Sequence, residues 1–341
     1  ITHKVLDPIL KAALKTNLAG LEASIDKDFQ PKSQLLPGWS VQLKTAITTI
    51  RTEIKNVIGV LEGKGPHKDE TIVIGAHYDH VGLGGTGSLA PGSKEVHNGA
   101  DDNGSGTVSL IELARRLAGR KNKLPRRIVF IAFTAEELGL IGSARYVKEP
   151  VFPLDNTVAM FNMDMVGRLR NQKLTVFGTG TAPRWKPMIQ AKGKQHEFSL
   201  TLKPSGFGPS DHSSFYGKKI PVLHFFTGTH SDYHRPGDDW PKLNLAGMES
   251  IVEMLEEIIV ETAMNPERPK YVALASRASV NRSGSRPYFG SIPDFGTDGP
   301  KGYPISGVAP GSPAQKGGLK GGDLIVKIGS TKIGGLDDFD L

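Results

Sequence analysis

The chain has 341 residues, 38% of them hydrophobic and 23% charged, which suits one large globular domain followed by a small one. Its net charge of +7 is scattered in pairs such as Arg115-Arg116, Arg126-Arg127 and Lys218-Lys219, which read as solvated faces and speak against a nucleic-acid partner. The absence of cysteine excludes disulfides and thiolate metal sites, and no apolar run is long enough for a membrane span.

In chain order, Val5, Leu6, Ile9, Leu10, Ala13 and Leu14 fall at helical spacing, so residues 1–30 are expected to hold an amphipathic helix and a turn. Residues 41–62 alternate and are β-branched, predicting antiparallel strands that lead into Val57-Ile58-Gly59-Val60. Thr71–Ala76 is almost continuously apolar, as in a strand covered on both faces. Thr107–Leu117 reads as helix, Ile128–Phe133 as a buried strand and Gly139–Lys148 as helix. Thr157–Met163 and Pro221–Phe226 read as strands, and Asn244–Ala263 as a long amphipathic helix. This alternation predicts an α/β fold with a mostly parallel central sheet covered by helices on both faces. Residues 265–283 are rich in Pro, Ser and Arg and read as a linker between a first domain, 1–264, and a small, mainly β domain, 284–341. The chain starts at Ile1 without a signal peptide and reads as a trimmed piece of something longer.

One motif is set aside. Gly82-Leu83-Gly84-Gly85-Thr86-Gly87 fits a dinucleotide-binding pattern, but that pattern needs a helix N-terminus after the third glycine. Ser88-Leu89-Ala90-Pro91-Gly92 follows instead, which is more loop.

Four apolar runs lead to metal-capable residues: His77 after the first, Glu136-Glu137 after the second, Asp164 after the third, His234 beyond the fourth. Open parallel sheets bind ligands outside the carboxyl ends of their strands, so these side chains can converge. Asp101 joins them from the loop before a helix. Without a cation, Asp101, Glu137 and Asp164 would repel one another. Two divalent ions remove that problem, and two imidazoles with three carboxylates suit zinc. Five ligands for two ions require a bridging carboxylate. Glu136 and Glu137 point different ways on a turn, so one can bind metal while the other acts as general base. Asp79 lies two residues beyond His77 on extended chain and can orient its ring. The alternatives are a polar surface loop around His77 and a charged helix start at Glu136.

The runs Gly75-Ala76-His77-Tyr78-Asp79-His80, Asn98-Gly99-Ala100-Asp101-Asp102-Asn103-Gly104, Ala135-Glu136-Glu137-Leu138-Gly139, Asn162-Met163-Asp164-Met165-Val166-Gly167 and Asp232-Tyr233-His234 together resemble the di-zinc aminopeptidase family. That family also contains glutamate carboxypeptidases, glutaminyl cyclases and transferrin-receptor ectodomains. The resemblance covers roughly residues 40–264. It implies two zinc ions per chain, with His77 and Asp164 on one, Glu137 and His234 on the other, and Asp101 bridging. It implies Glu136 as general base, Asp79 as the partner of His77, Tyr233 beside the tetrahedral intermediate, and a cis peptide joining Asp101 to Asp102. Pro209 stands before Ser210-Asp211-His212 where some members carry an arginine, which leaves substrate contacts there open. His212 is either a pocket residue or structural, and His80, His97, His224 and His230 are read as structural.

Val308-Ala309-Pro310-Gly311-Ser312-Pro313-Ala314 and Gly318-Leu319-Lys320-Gly321-Gly322-Asp323-Leu324-Ile325-Val326 resemble a PDZ domain. Tyr288-Phe289-Gly290 would be its carboxylate-binding loop, Asp323–Ile328 a central strand and Asp337-Asp338-Phe339 the start of a helix. The 58 positions from Gly284 to Leu341 are short of the roughly 80–100 the resemblance implies, so an incomplete domain is expected.

These readings converge on a metal-dependent exopeptidase, an aminopeptidase that hydrolyses N-terminal residues through a water bridged by two zinc ions. Its partners would be peptide substrates and, at the PDZ-like domain, peptide C-termini, in a secreted or periplasmic bacterial setting. A carboxypeptidase would need a cation for the substrate carboxylate, from Arg168, Arg170, Lys203 or Arg235. A non-catalytic receptor-like module would have lost ligands. A serine hydrolase is disfavoured by the absence of Gly-x-Ser-x-Gly, and His-Glu-x-x-His is absent too.

Overall fold

A computed structural model describes residues 3–334, except 37, 41, 43, 45, 47, 49, 50, 86, 91, 275–288, 290, 294–301 and 309–311. The chain divides into two compact units, Ile1–Glu53 and Ile54–Leu341. In the first, α1 (His3–Leu14) is the expected helix, and a second, α2 (Leu18–Asp28), follows where only a turn was expected, with the Asn17 side chain accepting from Gly20 N–H to cap it. The described positions of 40–56 belong to no strand, and the remainder of that stretch lies outside the described residues.

The second unit is built on seven strands: β1 (Val57–Leu61), β2 (Thr71–His77), β3 (Arg127–Phe133), β4 (Thr157–Met163), β5 (Lys173–Phe177), β6 (Ser199–Lys203) and β7 (Val222–Phe226). They lie in the order β1-β3-β2-β4-β7-β5-β6. β3, β2, β4 and β7 run parallel. The edge strand β1 is antiparallel to β3, and β5 is antiparallel to β7. The expected mostly parallel sheet is therefore present. Every residue of β2 and β4 is buried, which is why these segments read as unbroken apolar runs.

Alternation along each strand feeds two cores. Ile72 and Ile74 face one side with Ile128, Phe161 and Leu223, packed with α3 (Gly106–Ala118), α5 (Trp185–Gln195) and α7 (Leu245–Met264) through Leu113, Trp185 and Ile258. Val73 faces the other side with Val129, Ile131 and Met160, packed with α4 (Ile141–Lys148) and α6 (His212–Tyr216) through Tyr146 and Phe215. Helices thus cover both faces. Arg126, wholly buried, pairs with Glu70 at 2.6 Å and donates to the carbonyls of Thr262 and Ala263 at the end of α7.

The C-terminal part contains β8 (Ser291–Pro293), β9 (Tyr303–Val308), α8 (Pro313–Lys316), β10 (Leu324–Ile325), β11 (Lys327–Ile328) and β12 (Thr331–Lys332). Tyr303, Ile305 and Ile333 form its small core, and the Ser312 hydroxyl accepts from Gln315 N–H to start α8. The single strand expected over Asp323–Ile328 is broken: Ile325 pairs with Tyr303, whereas Lys327 pairs with Lys332. Tyr288, Gly290 and Asp337-Asp338-Phe339, assigned roles in the sequence reading, lie outside the described residues, as do positions 275–283 of the linker. No helix among the described residues is long and apolar enough to cross a membrane.

Candidate metal centre

The carboxyl ends of the parallel strands deliver the site. His77 closes β2, the Glu136-Glu137 turn follows β3, Asp164 follows β4, and the loop after β7 brings Tyr233 and His234. Three turns there need a left-handed backbone at a non-glycine residue: Ala135 (φ +53°), Met165 (φ +52°) and His234 (φ +52°). Each costs about 1–2 kcal/mol, and their concentration around one cavity is the pattern of a functional site.

The cavity, about 120 Å³, is lined by His77, Asp102, Glu136, Glu137, Asp164 and His234 on its polar side, with Met165, Pro209, His224, Phe226, Thr229 and Tyr233 completing it. His77 Nε2 lies 3.4 Å from Asp102 Oδ1 and 3.4 Å from Asp164 Oδ1. His234 Nε2 lies 3.1 Å from Asp102 Oδ2 and 3.0 Å from Glu137 Oε2. The two oxygens of Asp102 therefore face one imidazole each.

This corrects the expected bridge. Asp101 is not in the cluster, although it is buried. Its Oδ1 accepts from Gly167 N–H at 2.7 Å and Ser105 Oγ at 3.0 Å, and its Oδ2 lies 3.1 Å from His230 Nε2. Adjacent residues on this loop point apart, so only one of the two aspartates can enter the cavity. The cis peptide is likewise one residue further on, between Asp102 and Asn103.

Asp79 also acts differently from expectation. Its carboxylate stands 3.8 Å from His77 Nδ1, too far for a hydrogen bond. It accepts instead from the backbone N–H groups of Glu136 and Glu137, at 3.0 and 3.3 Å, and so fixes the glutamate turn. The His77 Nδ1–H donates to the backbone carbonyl of Asp79 at 3.1 Å, and His234 Nδ1–H to that of Gly87 at 2.7 Å. Both rings thereby turn an Nε2 lone pair inward, the tautomer a metal ligand needs.

The electrostatics fit a cation. Burial opposes charge on His77, yet Asp164, Asp102 and Glu136 outweigh it and hold its pKa well above the imidazole range. Burial opposes charge on His234 as well, but its bonds to Asp102 and Glu137 push it up to about 10. Protons on these imidazoles do what a divalent ion would do, which is to offset a buried carboxylate cluster. Burial raises Glu136 well above the carboxylate range, with Asp164 and Asp211 adding to it against His77. Burial raises Asp211 to about 7. Neutral Nε2 atoms and carboxylate oxygens in this donor set suit zinc.

Residues assigned no part in holding metal by the sequence reading support the centre. Asp238 Oδ2 accepts from the N–H groups of Asp101 and Asp102, at 2.9 and 3.0 Å, while Arg168 donates to Asp238 Oδ1 at 3.1 Å and to Asp232 Oδ2 at 3.2 Å. This links the Asp102 loop to the His234 loop. His80, read as structural, places Nδ1 2.8 Å from Glu137 Oε1. His224 lines the cavity and stacks on His212, with ring centroids 4.3 Å apart, and burial lowers it to about 4. A His-to-carboxylate spacing could have flagged His80; nothing local marks Asp238, which is 136 residues from Asp102.

Residues 56–259 match Peptidase family M28, and residues 305–340 match the PDZ domain. Aminopeptidase YwaD of Bacillus subtilis is 28% identical over 238 residues, 67% of this chain and 49% of the relative. Leucine aminopeptidase 2 of Trichophyton rubrum is 26% identical over 298 residues, 74% of this chain and 57% of the relative. The structure of BSAP, a zinc aminopeptidase from Bacillus subtilis, superposes with a TM-score of 0.51 at 29% identity, covering 62% of this chain and 51% of that one. The chain thus spans about half the length of the curated relatives it matches.

Proposed function

The chain belongs to peptidase family M28, and we propose that it is a zinc-dependent aminopeptidase that removes N-terminal residues from peptides at a site holding two zinc ions. The observation that carries this reading is Asp102, whose oxygens stand 3.4 Å from His77 Nε2 and 3.1 Å from His234 Nε2. His77 and Asp164 would hold one ion, His234 and Glu137 the other, and Asp102 would bridge them.

When bound, zinc supplies Lewis acidity that polarises a carbonyl and acidifies water. Glu136 lies in the same cavity, its Oε2 3.9 Å from His77 Nε2, and in this assignment it would hold neither ion. The burial that keeps Glu136 protonated in the metal-free chain would be opposed by cations bound beside it, so the Glu136 carboxylate would take a proton from the attacking water and pass it to the leaving amine. Burial first, then Asp102 and Glu137, keep the Tyr233 hydroxyl protonated, so it can donate a hydrogen bond to the developing oxyanion. Met165, Pro209 and Phe226 offer an apolar wall for a side chain.

The carboxypeptidase alternative needs a cation in the cavity. Among the described residues, no Lys or Arg lines it. Arg168 is engaged by Asp232 and Asp238, and Arg170 donates to the Thr229 carbonyl. The acidic lining suits a substrate ammonium group instead. A receptor-like module is disfavoured because each ligand type and the base are present.

The test is a pair of peptides that differ only in N-acetylation. The free peptide should be hydrolysed and the acetylated one should resist. Equal rates would discard the aminopeptidase reading. Capture of peptide C-termini by the PDZ-like part, by strand addition, and a secreted or periplasmic setting complete the proposal.

A further inference from the structure

We propose that His80 is a positioning residue of the second metal position, holding Glu137 so that its other oxygen is left for the ion; this rests on the two-zinc reading above. The carboxylate of Glu137 is divided. Its Oε1 lies 2.8 Å from His80 Nδ1, and its Oε2 lies 3.0 Å from His234 Nε2. An ionised carboxylate only accepts, so Nδ1 carries the proton of that bond. A carboxylate ligand free to rotate would lose entropy on binding an ion, and a fixed N–H donor removes that freedom beforehand.

The ring sits in a built niche. A Cβ on Gly99 would lie 2.6 Å from His80 Cγ, and Gly99 has φ +61°, so the position requires glycine for both space and backbone. His234 closes the niche edge-on, with centroids 5.5 Å apart and planes at 82°. Nδ1 is 3.8 Å from Asp102 Oδ2, beyond hydrogen-bond reach, so its one short carboxylate contact is Glu137 Oε1. The segment 77–80 then grips the glutamate turn twice, by the Asp79 carboxylate on its backbone and by His80 on its side chain.

Three variants of the whole chain separate the possibilities. His80→Phe fills the niche without a donor, His80→Ala empties it, and His80→Asn keeps an N–H close to the Nδ1 position. Zinc affinity is read on the resting protein by competition with a chromogenic chelator, and the melting temperature of the metal-free protein controls for folding. The wild type should bind two zinc ions. His80→Phe and His80→Ala should weaken one of the two by about 10–100-fold and leave the other unchanged. His80→Asn should recover most of the loss. Unchanged affinities in His80→Phe and His80→Ala would overturn the proposal. So would a His80→Asn as weak as His80→Ala, which would make the ring itself a ligand. A wild-type chain binding one zinc would overturn the two-zinc reading and the role of His80 with it, an outcome distinct from the other two.

Discussion

Of two neighbouring aspartates, Asp102 faces the cavity and Asp101 does not. Asp102→Asn should lose zinc and reduce kcat by about a hundredfold or more, because each imidazole loses its shared carboxylate. Asp101→Asn should keep zinc while losing stability, since Asp101 is held by Gly167 and Ser105 away from the cavity. Metal analysis of the two purified variants separates these outcomes. Glu136→Gln should retain zinc and lower kcat by about a hundredfold or more, as expected for loss of a general base. The imidazoles also set a pH dependence. His234 rises from 6.5 to about 10 in the metal-free chain, so the stability it contributes is full below pH 6.5 and is lost as pH rises through about 10. Zinc must displace that proton, so apparent zinc affinity should increase with pH, and calorimetry at pH 7 should detect proton release on the order of one per imidazole ligand. The residue types of the site were legible because strands ending in His, Glu and Asp are distinctive. The choice between Asp101 and Asp102 was not, because it depends on Asp238, Gly167 and His230, all far away in sequence.

At the scale of elements, the buried parallel strands were legible as apolar runs and α7 as a long amphipathic segment. The strands β5 and β6 were not, because Lys173–Phe177 and Ser199–Lys203 are short and mix charge with alternation. The helix α5 was hidden by Pro187 and Gly193. The proline falls in the first turn, where no backbone N–H bond is lost, and Gly193 lets Leu200 of β6 approach, since a Cβ there would lie 2.3 Å from Leu200 Cδ1. Arg126 ties elements together in a way no periodicity reveals. Arg126→Met should destabilise the fold by about 3 kcal/mol, because it leaves Glu70 with one arginine, Arg268, and takes the donor from the carbonyls ending α7. Urea denaturation with unchanged m-value would read this directly.

At the scale of the whole molecule, every residue assigned to the centre lies between His77 and Asp238. Deletion of residues 284–341 should therefore leave peptidase activity within a few-fold of the full chain, and a comparison of kcat/KM for the two forms checks it. The domain boundaries at 264 and 284 stand as part of this proposal, since residues 275–284 lie outside the described residues. The family order, with the metal residues first and the PDZ match last, was legible from motifs several residues long, while the break of the expected strand at Val326 was set by pairing with Tyr303 and Lys332. We propose that these side chains form a two-zinc exopeptidase centre. The test is to titrate zinc into the metal-free chain while following hydrolysis of a panel of amino-acid anilides. Activity should be absent at the start and rise until two equivalents are bound; full hydrolysis by the metal-free chain, or saturation at one equivalent, would contradict it.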